Sequence, residues 1–206
     1  LIGSLAGPVT LQKSYATGGV QGGGLVGGLI GRSGNVSFNV PGLAREDDVR
    51  TIQDTYATGN VTGVNNRAYF DADSDFGEGY VEFGTYAGGL LGASVDTSTA
   101  RSYASGIVSN EQPEFAESLP SGFMKYAYGS ATGGLIGAAA VTSPTATLND
   151  SVVILDSFSA VTLQDSTDNP KGALIGRSIW KTEPGPQTQP GVDLSSIIQN
   201  TYYDQT

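Results

Sequence analysis

At 206 residues the chain is long enough for one domain with a sizeable core. Its net charge of −10 excludes the clustered cationic surface that nucleic acid or an anionic membrane requires. With no cysteine and no histidine, disulfide frameworks, thiolate zinc sites and the usual general base at neutral pH are excluded too.

Taken in chain order, two short words alternate between loops. The first is Leu1-Ile2-Gly3, then Leu25-Val26-Gly27 (doubled by Leu29-Ile30-Gly31), Leu90-Leu91-Gly92, Leu135-Ile136-Gly137 and Leu174-Ile175-Gly176. The second is centred on Tyr15, Tyr56, Tyr103, Phe158 and Tyr202. The words interleave strictly, which marks a repeat architecture. Glycines two to four residues apart would cost a helix roughly 1 kcal/mol each, whereas Tyr, Thr, Val and Ile favour strands.

In the aromatic word, Ala57, Gly59 and Val61 fall on one face at period two, as do Ala104, Gly106 and Val108, and Ser159, Val161 and Leu163. Four residues before each aromatic stand Leu11, Ile52, Thr99, Ile154 and Ile198. If these also point inward, their odd offset from the far valine demands a bulge or a corner between them, and Asp54, Asp156 and Asn200 are suited to form a corner. The pattern predicts an all-β fold: a single parallel β-solenoid over 1–206, of about five coils with surface loop insertions. Leu1 to Gln21 is the shortest complete unit, close to one coil. Insertions follow the first word at Arg32 to Arg50, Ala138 to Val152 and Ser178 to Ile197, and the second at Val64 to Ala87 and Ser109 to Thr132. The most apolar run, Gly22 to Gly31, is too short and glycine-rich to span a bilayer, so no membrane insertion is expected. Because Leu1-Ile2-Gly3 reads as a word cut mid-way, the chain is expected to be a piece of a larger protein.

The segments 15-YATGGV-20, 56-YATGNVTG-63 and 133-GGLIG-137 resemble GLUG-motif repeats, in which a GGLVG segment is paired with an xSYATGxV segment. The ending 200-NTYYDQT-206 is similar to the segment that commonly follows the last coil in such proteins. The resemblance implies a bacterial surface or secreted protein, of the kind that includes filamentous haemagglutinin-like adhesins and immunoglobulin A peptidases. It carries over no catalytic residues.

Chemistry is concentrated in two insertions. Asp71, Asp73 and Asp75 alternate, and Glu82 stands twelfth from Asp71, the ligand spacing of a calcium loop. Phe76 occupies the position where an EF-hand has glycine, with Gly77 one place late, so the expectation is a looser Ca²⁺ loop or a solvated acidic one. Tyr69 and Tyr80 flank these acids, and the next insertion brings Phe123, Tyr126 and Tyr128. Stacked coils should set these aromatics side by side as a ligand-gripping surface. The once-per-coil aromatic row is expected to be a structural stack, with sugar stacking as the alternative. Catalysis is left to carboxylates such as Asp47, Asp48, Asp71, Asp73 and Glu78, and no catalytic site is expected. A regular threonine face for ice binding begins at Thr17 and Thr58 but ends at Ser105 and Ala160. The sequence thus points to an adhesin rod at the cell surface or outside it, binding a glycan or protein on a host or neighbouring cell. The alternatives are a carbohydrate-active β-helix with paired carboxylates and an accessory domain of a secreted peptidase.

Overall fold

The structure is a computed structural model, and it describes residues 1–34, 50–70, 79–111, 124–127, 130–141, 152–165, 170–180 and 198–203. Among these the chain is all-β and winds as a parallel β-solenoid. The first coil holds β1 (Ile2–Leu5), β2 (Val9–Gln12), β3 (Tyr15–Ala16), β4 (Val20–Gly22) and β5 (Leu25–Gly27). The second holds β6 (Ile30–Ser33), β7 (Arg50–Gln53), β8 (Tyr56–Ala57) and β9 (Val61–Val64). It then makes an excursion, β10 (Asn66–Phe70) and β11 (Gly79–Phe83), and returns through β12 (Tyr86–Gly88). In the third come β13 (Leu91–Val95), β14 (Thr97–Ala100), β15 (Tyr103–Glu111), an excursion strand β16 (Met124–Ala127), and β17 (Ala131–Gly133). The fourth has β18 (Ile136–Val141), β19 (Val152–Leu155), β20 (Phe158–Asp165) and β21 (Lys171–Gly172). The fifth has β22 (Ile175–Trp180), β23 (Ile198–Gln199) and β24 (Tyr202–Tyr203).

Equivalent strands stack into four sheets. Sheet 1 is β1-β6-β13-β18-β22 and sheet 2 is β2-β7-β14-β19-β23. Sheet 3 collects β3 and β4, β8 and β9, β15, β20 and β24, and sheet 4 is β21-β17-β12-β5. The register is the repeat made physical: Ile2, Ile30, Leu91, Ile136 and Ile175 form one row. Leu11, Ile52, Thr99, Ile154 and Ile198 form another, as the sequence predicts.

Register also corrects two expectations. The first-word segment of coil two is Leu29-Ile30-Gly31, because Ile2 pairs with Ile30, 28 residues on, as do Ser4 and Arg32. Leu25-Val26-Gly27 is instead the sheet 4 strand that pairs with Tyr86-Ala87-Gly88. A coil therefore takes more chain than Leu1 to Gln21, since a fourth side must close it.

The corner between sheets 2 and 3 comes where the odd offset demands it. Lys13, Asp54, Arg101, Asp156 and Asn200, each two residues before the aromatic, have φ between 46° and 55°. This left-handed conformation is tolerated best by Asn and Asp, whose short side chains bond local backbone. Neighbours in the row also bond: Arg101 Nε lies 2.6 Å from Asp54 Oδ1 in an ion pair, and the Asn200 amide donates to Asp156 at 3.1 Å. The Arg101 hydrogen bond holds the Asp54 carboxyl below the usual carboxylate range. Whatever the pair contributes is present above the ordinary carboxylate pKa and lost as pH falls through the lower folded value.

Inside, Leu29, Ile30, Ile52, Leu90, Leu91, Leu135, Ile136 and Ile154 fill a wide compartment with Ala57 and Ala104. Val26, Val61, Ala87 and Val108 fill a second, narrow one between sheet 4 and the far half of sheet 3. Ala57 and Ala104 are inward, as expected, but Gly59 and Gly106 are only partly buried. Gly106 has φ of +109°, a conformation that glycine adopts most easily, and stands in register with Val161, which packs against both compartments.

Candidate functional site

Where sheet 3 passes to sheet 4, coils two and three both leave the solenoid. Their excursions meet: β10 and β11 pair antiparallel, and β16 joins β11 in parallel. The result is a small three-stranded sheet, β10-β11-β16, carried beside the rod. The expectation that these two insertions lie side by side is met by their strands.

The footing of that sheet is a buried polar network. Asn65 Oδ1 accepts from Thr85 N and from Ser130 Oγ, both at 3.0 Å. Thr85 Oγ1 donates to the Val64 carbonyl at 2.9 Å and accepts from Gly24 N at 3.1 Å. Asn110 Nδ2 donates to the carbonyls of Thr85 and Ala131 at 2.9 and 3.1 Å, and lies 3.2 Å from Thr132 Oγ1. Asn65, Thr85, Asn110, Ser130 and Thr132 are all buried. Three coils are thus tied at the point where the chain departs, through every member of the network except Asn110 Oδ1, which has no hydrogen-bond partner among the described residues. Gly63 is required beneath it, since a Cβ there would fall on the Asn110 side-chain oxygen.

Four of the nine sequence-predicted site residues sit on this sheet. Tyr69 opposes Tyr80, Tyr80 opposes Lys125, Val81 opposes Tyr126, and Glu82 opposes Arg67. Asp71, Asp73, Asp75, Phe123 and Tyr128 lie outside the described residues, as do Asp47, Asp48 and Glu78. The acidic segment connects two paired strands, with Phe70 opposite Gly79 at its base. Among the described residues no three His, Cys, Asp or Glu side chains gather as a metal site.

The aromatic row forms a stack on the outside of sheet 3. Tyr15 and Tyr56 centroids are 5.1 Å apart, Tyr56 and Tyr103 4.9 Å, and Tyr103 and Phe158 4.8 Å, with planes within 8° of parallel. That spacing is the distance between paired strands. Ring faces inside the stack cover one another, so Tyr56 and Tyr103 offer only edges to solvent. A sugar cannot stack on them, and the row is a brace between coils.

Two features escaped the sequence reading although a signal was present. The residue before each aromatic is always Ser or Thr: Ser14, Thr55, Ser102, Ser157 and Thr201. These hydroxyls form a second ladder, with Thr55 and Ser102 oxygens 3.0 Å apart and Ser102 N donating to Ser157 Oγ at 3.1 Å. Asn65 and Asn110 carried a weaker signal, standing just where a strand ends and an insertion starts.

No family model matches the chain, and no curated protein or solved structure is significantly similar to it.

Proposed function

We propose that the chain is a non-catalytic β-solenoid segment of a bacterial surface or secreted adhesin. It acts as a rigid rod presenting loops to a glycan or protein on a host or neighbouring cell. The observation that supports this reading is the joining of excursions from two successive coils into one sheet on a buried polar footing. Recognition by irregular segments on a stiff scaffold is a common use of repeat architectures. The resemblance of the two words to GLUG repeats supplies the compartment, extracellular or cell surface. A carbohydrate-active enzyme would need two acids aimed at one bond. The acids that could be cast in that role, Asp47, Asp48, Asp71, Asp73 and Glu78, fall in the insertions of the sequence and not inside a repeat word, where a rigid strand would aim them.

Immobilised glycans and cell-surface extracts test the proposal. Binding should be lost in Tyr80→Ala and Tyr126→Ala with the melting temperature unchanged, and no oligosaccharide should be released from polysaccharides. Turnover that vanishes on Asp71→Asn or Asp73→Asn would replace this reading with the enzyme. Within the same reading Asp71, Asp73 and Asp75, with Glu82, take Ca²⁺. At ~100 times its dissociation constant the ion then stabilises the fold by about 2.7 kcal/mol. Calorimetric titration should show heat that Asp73→Ala abolishes; no heat, or heat surviving that change, removes calcium from the proposal.

A further inference from the structure

The words of this repeat are close to interchangeable. The first three coils read 14-SYATG-18, 55-TYATG-59 and 102-SYASG-106. The row Leu11, Ile52, Thr99, Ile154 and the row Tyr15, Tyr56, Tyr103, Phe158 would be filled about as well if one coil were skipped. Coil two laid directly on coil four would set Ile52 against Ile154 and Tyr56 against Phe158. Repeat proteins are prone to this kind of misassembly, because each copy of the pattern accepts any other.

One row is not interchangeable. At the corner between sheets 2 and 3, consecutive coils place Lys13, Asp54, Arg101 and Asp156, all in the left-handed backbone conformation. Their charges alternate. Arg101 bonds Asp54 through Nε at 2.6 Å and Nη2 at 2.9 Å. Lys13 attracts Asp54 from the other side, and Asp156 attracts Arg101. Every neighbour in the row is thus of opposite sign. Skipping a coil inverts this: coil two on coil four brings Asp54 beside Asp156, and coil one on coil three brings Lys13 beside Arg101. The left-handed corner itself is accepted best by Asn and Asp, so the backbone gives no reason for Lys13 or Arg101 to stand there.

We propose that the alternating corner charges fix the order in which the coils stack, attracting the adjacent coil and repelling the one beyond it. An exposed ion pair adds little stability of its own. Specificity, however, is a difference between two arrangements, and here attraction in the native order is matched by repulsion in the skipped one.

Permuting these four residues tests the proposal without altering composition, net charge or the residue types held in the left-handed conformation. Asp54→Arg with Arg101→Asp makes the row Lys, Arg, Asp, Asp. Two of its three native contacts are then between like charges, and coil two attracts coil four. Adding Lys13→Asp and Asp156→Lys makes the row Asp, Arg, Asp, Lys, which alternates again in the opposite phase.

The readout is a disulfide between Thr51→Cys and Val153→Cys, introduced into each background and refolded from urea in oxidising buffer. In the native order the strand of Ser98 lies between these positions. Their Cα atoms are then roughly 9.6 Å apart, two strand spacings. A disulfide tolerates no more than about 7 Å, so it forms only when coil three is skipped. The double exchange should form about three- to tenfold more of it than the native row, the span that one or two exposed pairs support. The fourfold exchange should form no more than the native row. In about 1 M salt, where the screening length is ~3 Å, the excess should shrink. Thr10→Cys with Val153→Cys spans three coils and reports chance encounters in an unfolded chain, so its yield should be equal in all three backgrounds. Equal Thr51–Val153 yields in every background, an excess in the fourfold exchange, an excess indifferent to salt, or a rise at both cysteine pairs together would each overturn the proposal.

Discussion

The two interior compartments are walled by the same ladders and filled differently. The wide one takes a Leu and an Ile or Leu from the first words of coils two to five, and Ile2 from coil one, plus the sheet 2 row, whereas the narrow one admits only Val and Ala among its buried residues. Between them the main chains of sheets 3 and 4 come so close that a hydrogen is all that fits. At Gly28, Gly89 and Gly134 an added Cβ would fall on a carbonyl of the next coil, and at the first two it would sit 2.7–2.8 Å from Ala57 or Ala104. Side-chain size thus follows the gap between sheets, and the glycine-rich stretch around Val20 to Gly31 is the waist of the coil. Protein interiors are close-packed, so neither compartment can lend the waist space.

The waist is where the comparison breaks most sharply. Gly89→Ala places a methyl against the Gly134 carbonyl and Ala104, neither of which can rotate away. Overpacking commonly costs 1–3 kcal/mol, and a clash with main chain on two sides should cost about 3 kcal/mol or more. Gly18→Ala is the control: nothing lies within 4 Å of its Cβ, and stability should hold within about 0.5 kcal/mol. Urea unfolding of both variants decides it, and equal midpoints would refute the waist.

Within the compartments, truncation should separate wide from narrow. Leu91→Ala removes a fully buried side chain from the wide core and should cost about 2–5 kcal/mol. Val61→Ala, equally buried in the narrow core, deletes less volume and should cost about 1–2 kcal/mol, because the transfer and cavity losses both scale with the atoms removed. The same unfolding series measures both. A larger loss at Val61 would mean that the narrow compartment is the rigid one.

The row that lines the wide compartment contains a polar interruption. Thr99 interrupts the row Leu11, Ile52, Ile154, Ile198, is fully buried, and its Oγ1 has no hydrogen-bond partner among the described residues. Leaving a buried hydroxyl unpaired costs about 1–3 kcal/mol, so Thr99→Val, which keeps the shape, should raise stability by about 1 kcal/mol or more. A lower midpoint for this variant would show that the hydroxyl is bonded.

How much of this was legible follows from what repeats. Rows with one chemistry per coil, such as Ile52 and Ile154 or the aromatics, announce themselves because every coil restates the same constraint. The coil length did not, since Leu25-Val26-Gly27 mimics the first word while belonging to the side that closes the coil. The φ of +109° at Gly106 was not legible either: period-two alternation puts Ala104 and Val108 on one buried face, and nothing in it marks a positive φ between them. The polar footing at Asn65 and Asn110 occurs where the chain leaves the repeat, so no second copy of the pattern exists to reveal it. The ligand side of the candidate site is less legible for the same reason.

The smallest effect is expected at the corner, outside both compartments. Lys13 holds a left-handed φ of 51° with a side chain that adds only a weak charge attraction to Asp54, whereas Asp54 and Arg101 in the same conformation share an ion pair. The left-handed region costs a residue bearing a Cβ about 1–2 kcal/mol. Glycine avoids that cost but loses more freedom on folding, roughly 0.5–1 kcal/mol. The difference leaves Lys13→Gly more stable by about 0.5–1 kcal/mol. Lys13 also adds a weak attraction that lowers the Asp54 pKa, and removing it should move the Asp54 titration slightly upward without undoing the gain, since Lys13 is exposed and Asp54 only partly buried. Thermal unfolding at neutral pH together with an NMR titration of the Asp54 carboxyl measures both effects. A variant less stable than wild type would mean that Lys13 is held at the corner by a contact and not merely tolerated there.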